Sequence, residues 1–67
     1  MKVRINGVDE MISEATLTLQ QLIADRGLSP KQVVVEVNLQ IIPREQWPQI
    51  TLQDSDSIEI VSFVGGG

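Results

Sequence analysis

Ile58-Glu59-Ile60-Val61-Ser62-Phe63-Val64 runs without a break into Gly65-Gly66-Gly67. The seven residues before the glycines are mostly β-branched or aromatic, so they predict a strand. Side chains alternate across a strand. That puts Ile58, Ile60, Ser62 and Val64 on the core face, and Glu59, Val61 and Phe63 toward solvent. Residues 1–64 are thus expected to form one folded body and residues 65–67 a flexible arm. Glycine lacks a Cβ, so another protein's backbone can approach the arm closely. Extended, the arm reaches about 10 Å. The terminal carboxylate at Gly67 therefore enters a buried site only when the body docks against its mouth. With an ordinary α-carboxyl pKa of about 3.3–3.7, it is an anionic oxygen nucleophile at neutral pH. Phe63 and Val61, apolar on a wet face beside the arm, are the expected docking residues, joined by Val34.

Working back from that strand, Asp54-Ser55-Asp56 is a turn signal. Ile50 and Leu52 are apolar and are expected to return to the core. Pro43-Arg44-Glu45-Gln46-Trp47-Pro48 breaks any regular pattern twice, so it is a loop or a single turn. Trp47 is large enough to close one end of a small core. Arg44 is open between packing its stem over that end and contacting a partner. Gln40-Ile41-Ile42 predicts a short strand. Val33 to Asn38 predicts a longer one, with Val33, Val35 and Val37 on one face and Val34, Glu36 and Asn38 on the other.

The first half predicts a hairpin and a helix. Val3 and Ile5 alternate with Lys2, Arg4 and Asn6, and Asn6-Gly7 suits a type I′ turn into a returning strand over Val8 to Ile12. Ser13 to Thr16 is a polar loop. Thr18 and Gln21 have the spacing of a capping box, with Leu17 and Leu22 as its hydrophobic staple. Leu19, Leu22 and Ile23 form the apolar stripe of a helix of about ten residues. Arg26 falls in the last turn, Gly27 at the left-handed closing position, Leu28 as the closing contact, and Pro30 prevents continuation. A helix this short needs a sheet to pack on.

Composition narrows the function. With 67 residues, a single domain is the ceiling. Five basic and nine acidic side chains give a net charge of −4. That argues against nonspecific nucleic-acid binding and favours partners with basic surfaces. There is no cysteine, histidine or tyrosine. Disulfides, thiolate metal sites and the usual neutral-pH base are therefore unavailable. Glu10, Glu14, Asp54 and Asp56 fall on turns or loops, and Asp54-Ser55-Asp56 lacks the further ligands of a calcium loop. Catalysis by the chain itself is not expected, nor is a bound metal. No apolar run approaches the roughly 20 residues of a membrane helix, and the start lacks a signal peptide's apolar core. The expected location is cytoplasmic.

The order hairpin, helix, strand, short strand, loop, strand, ending in glycine, resembles the β-grasp, ubiquitin-like superfamily. The resemblance predicts an α+β fold with a mixed four- to five-stranded sheet and one main helix on one face. More narrowly, the chain resembles the sulfur-carrier proteins of thiamine biosynthesis. The match is carried by Asn6-Gly7, Thr18, Val37-Asn38, Ile41-Ile42-Pro43-Arg44-Glu45, Trp47, Asp54, Asp56 and Gly66-Gly67. Ser55 departs from the pattern, since the family often has glycine between the two acids. Three terminal glycines replace the commoner two.

The resemblance implies a cycle. A ubiquitin-activating-like adenylyltransferase would adenylate the Gly67 carboxylate with ATP and magnesium, with Gly65 and Gly66 threading its site. A sulfur donor, ultimately a cysteine desulfurase, would convert the adenylate to a terminal thiocarboxylate (1-thioglycine). Thiazole synthase would then take the sulfur. Two other readings share the fold: the sulfur carrier of molybdopterin synthase, and a ubiquitin-like binding module whose glycine tail is incidental.

Overall fold

The computed structural model describes residues 1–13 and 16–63. Glu14 and Ala15 of the expected loop, Val64 of the expected strand and the arm Gly65–Gly67 lie outside the described residues.

Asn6 and Gly7 have φ of +51° and +82°, the paired left-handed values of a type I′ turn. They join β1 (Lys2–Ile5) to β2 (Val8–Met11), antiparallel, with Ile5 opposite Val8. The Asn6 side chain also acts at longer range, since its Oδ1 accepts a 2.7 Å hydrogen bond from the Ile60 N–H. The turn is thus fastened to the strand on the far side of β1.

The helix α1 spans Leu19–Asp25. Its start is the expected capping box. Thr18 Oγ1 accepts from the Gln21 N–H at 3.1 Å, and Gln21 Oε1 accepts from the Thr18 N–H at 2.9 Å. Its end is a Schellman motif around Gly27 at φ +70°. The Gly27 N–H reaches the Ala24 carbonyl at 3.0 Å and the Leu28 N–H reaches the Ile23 carbonyl at 3.2 Å. Between these two stops only seven residues are helical, fewer than the ten expected. A 3₁₀ turn over Pro30–Gln32 leads into the next strand.

Three more strands follow: β3 (Val33–Val37), β4 (Gln40–Ile41) and β5 (Ser57–Ser62). The five form one sheet in the order β2-β1-β5-β3-β4. β5 runs parallel to β1 and antiparallel to β3, so the last strand is central and the sheet is mixed. The inner face carries Val3, Ile5, Val33, Val35, Ile58 and Ile60, all buried, against Leu19, Leu22 and Ile23 of α1. Leu17 and Leu52 complete this core, and Ile50 and Val37 are half-buried beside it. A lone antiparallel bridge from Thr18 to Thr51 ties the helix start to the segment before β5.

Trp47 lies in a 3₁₀ turn over Arg44–Gln49 and is 2% exposed. Its Nε1–H donates to the Ile42 carbonyl at 2.9 Å, so the indole closes the core with its one polar group satisfied. Arg44 Nη1 lies 3.4 Å from the Pro30 carbonyl, which links the two 3₁₀ turns.

Ser62 corrects the simple alternation. It has core-face parity but is exposed. Ser62 lines an open groove with Gly27, Leu28 and Ser29, the residues that follow α1.

Candidate functional site

The candidate site is the rim at which β5 delivers the chain, together with the outer face of the sheet. β5 is held on both sides by hydrogen-bonded neighbours. Pairing with the β3 side extends one residue beyond it, where the Phe63 N–H donates to the Gln32 carbonyl at 3.0 Å. Phe63 is 48% exposed and lines the same groove as Ser62, beside the closing turn of α1. The route toward the C-terminus is therefore fixed through Phe63 by a central strand, not by a loose edge.

Val61 stands on the outer face directly opposite Val34, and both are exposed. These two expected docking residues are brought together. Phe63 lies at the rim just beyond the end of β5, where it lines the groove. Gly65, Gly66 and Gly67 lie outside the described residues.

The acidic pair near the start of β5 is structural. Asp54 Oδ1 accepts from the Lys2 N–H at 2.8 Å. Asp56 Oδ2 accepts from the Gln53 N–H at 2.8 Å, and its Oδ1 accepts from Asn38 Nδ2 at 3.0 Å. Asn38 Oδ1 in turn accepts from the Ser57 N–H at 3.0 Å. The segment Asp54 to Ser57 is thus stitched to β1 and to the β3–β4 turn. Composition marks these residues as turn formers, but it carries no signal for their partners 18 to 52 positions away.

Sequence reasoning also misses the β3–β4 turn. Asn38 and Leu39 have φ of +51° and +73°, a second two-residue turn with left-handed geometry at both positions. Asn tolerates that region, whereas Leu does not. Leu39 is 91% exposed, so nothing packs over it.

Charge is distributed unevenly. On the outer face Lys2 and Arg4 both pair with Asp9, at 3.5 and 3.1 Å. The hydrogen bond from Arg4 holds the Asp9 carboxyl below the ordinary carboxylate range. Arg26, the C-cap of α1 and not a member of its last turn as expected, pairs with Glu10, which lies in β2 and not on a turn or loop. Among the described residues no group of three or more His, Cys, Asp or Glu is placed to hold a metal. No buried side-chain polar atom among them lacks a partner. No described helix is long and apolar enough to cross a membrane.

A mixed sheet in this strand order, with one helix across it and a central last strand leading out at the rim, defines a small β-grasp, ubiquitin-like domain. The ThiS family model matches residues 3–67, and the chain belongs to that family. The sulfur carrier protein ThiS of Bacillus subtilis is 45% identical over 65 residues, which cover 97% of this chain and 98% of that protein. A thiazole synthase of Paramagnetospirillum magneticum is 40% identical over all 67 residues, and the chain spans only 20% of that protein's length. A crystal structure of the thiamine biosynthesis protein ThiS from Geobacter metallireducens superposes with a TM-score of 0.84 at 29% identity, each chain covered in full.

Proposed function

We propose that this chain carries sulfur for thiazole formation on its C-terminal carboxylate. The observation that carries the reading is the family match. It runs through Gly67, and the Bacillus carrier aligns along nearly the whole of both chains.

The chemistry divides between the chain and its partners. A carboxylate is a poor acyl donor because oxide is a poor leaving group. Attack of a Gly67 carboxylate oxygen on the α-phosphorus of ATP expels pyrophosphate and leaves an acyl adenylate. A sulfur nucleophile then adds at the acyl carbon and AMP departs. With a persulfide as the nucleophile the product is an acyl disulfide; a second thiol of the partner attacks the donor's sulfur, forms a disulfide with it and releases the terminus as a thiocarboxylate, anionic at neutral pH and a good sulfur nucleophile. ATP, magnesium and the sulfur donor all belong to partner enzymes: an adenylyltransferase and, at the start of the sulfur supply, a cysteine desulfurase. The chain contributes the glycine end, Gly65 to Gly67, and a body to grip, with Val61 and Phe63 as docking residues. A similar domain forms a fifth of a protein named thiazole synthase, which supports that enzyme as the sulfur acceptor. The chain itself has no catalytic role in this cycle.

Intact mass spectrometry tests the reading. Incubated with ATP, magnesium and the adenylyltransferase of its source organism, the chain gains the mass of an adenylate. With a sulfur donor added, it gains the difference between sulfur and oxygen. Deleting Gly66 and Gly67 together abolishes both changes. A wild-type chain that shows neither, or a truncated chain that shows both, refutes it.

A further inference from the structure

On its β3 side, β5 runs up to a turn that offers it no further partners. In the β3–β5 register Val33 stands opposite Ser62, so the next pair is Gln32 and Phe63. Such a pair in an antiparallel ladder can exchange two hydrogen bonds, and the next exchanging pair lies two residues on. Here one of the two bonds forms, from the Phe63 N–H to the Gln32 carbonyl at 3.0 Å. The return bond has no donor, because the Gln32 N–H is held at 2.9 Å by the Ser29 carbonyl, within the 3₁₀ turn Pro30–Gln32. Continued in register, the next exchange would set Pro30 against Gly65. Proline has no N–H to donate. Its carbonyl already faces Arg44 Nη1 at 3.4 Å. Arg44 is exposed and pairs with no carboxylate among the described residues. One donor is engaged, the next is missing, and the acceptor beside it is occupied.

We propose that this turn is a stop that sets the length of the arm, and that Pro30 and Arg44 are positioning residues for adenylation. Released after Phe63, Val64 to Gly67 reach about 13 Å when extended. Caught on Pro30 at Gly65, the chain would keep only Gly66 and Gly67 free, a reach of about 7 Å. The carboxylate has to enter a site in another protein, so the lost length decides whether it arrives. Pro30 and Arg44 act through the backbone of Gly65 and not on the reacting carboxylate. The proposal rests on the carrier reading above and adds the residues that keep the arm available to the partner.

Restoring the withdrawn partners tests it. Pro30→Val supplies the missing donor, and Arg44→Ala clears the carbonyl. In the free double variant, solvent-exchange NMR finds the Gly65 N–H exchanging about fivefold more slowly than in wild type, the fold-change of one net hydrogen bond. In steady-state adenylation with the chain as varied substrate, its KM rises about fivefold at unchanged kcat, because a captured arm has to be released before it enters. Arg44→Ala alone, at an exposed position that leaves the fold intact, moves both readouts in the same direction by about twofold. Arg44→Lys keeps a donor for the Pro30 carbonyl and matches wild type in both. A merely structural role lowers Tm and leaves Gly65 exchange unmoved. Wild-type exchange and KM in Arg44→Ala and in the double variant therefore overturn the proposal, while adenylation of the wild-type chain in the same assay leaves the carrier reading standing. A wild-type chain that is never adenylated removes both.

Discussion

Ser55→Gly stabilises the protein. Ser55 has φ of +74° in the turn closed by the Asp56 N–H on the Gln53 carbonyl at 3.0 Å. The surroundings hold it there: its own N–H donates to the Lys2 carbonyl at 2.7 Å, and Asp54 is bonded to the Lys2 N–H. A left-handed conformation costs a non-glycine residue about 1–2 kcal/mol. Glycine escapes that cost but gains freedom in the unfolded chain, which offsets about 0.4–1 kcal/mol. The serine hydroxyl loses little, since its one contact, to Asp54 Oδ2, is 3.4 Å long and exposed. At the midpoints of these two ranges the net gain is about 0.8 kcal/mol. For a domain of this size that raises Tm by about 2–8 °C. Thermal and urea melts monitored by circular dichroism measure it, with an unchanged denaturant slope expected because the surface exposed on unfolding is the same. A Tm equal to or below wild type refutes the argument that backbone strain, and not a serine contact, dominates this position.

Thr18→Ala removes the side-chain half of the capping box and costs about 0.5–2 kcal/mol, read as a lower urea midpoint. Asp9→Asn weakens the folded state at neutral pH. Its carboxyl is depressed by Arg4 in the folded protein, so its contribution is present above the unfolded pKa of about 3.9 and is lost as pH falls through the folded value. Melts of wild type and variant therefore differ at pH 7 and converge in strong acid. A constant difference across that range refutes the linkage.

What sequence discloses, and what it withholds, follows the range of each interaction. Asn6-Gly7, the Thr18–Gln21 box and the Gly27 stop are local: each acts within one turn, so residue type and spacing suffice. Trp47 is legible for its bulk alone. The β-grasp layout follows from the order of such local signals. The stitching of Asp54, Asp56 and Asn38 is not legible, because its partners are set by the register of strands far apart in sequence. Leu39 hides its turn, since leucine is a poor marker of left-handed backbone. Ser62 departs from expectation because alternation gives the face but not what covers it. At the candidate site, Val61 and Val34 are foreseeable as neighbours on one face. That the Pro30 turn faces the end of β5 requires the register.

The position of β5 has a consequence for how the molecule is made. Residues 1–56 hold two hairpins that do not pair with each other, since each meets only β5. Until Ser57–Ser62 emerges, a nascent chain carries two half-sheets, each with both edges open, the condition that invites pairing with the wrong neighbour. The strand that leads out to the rim is therefore also the keystone whose late arrival closes the sheet. A polypeptide interrupted before it has no assembled outer sheet face.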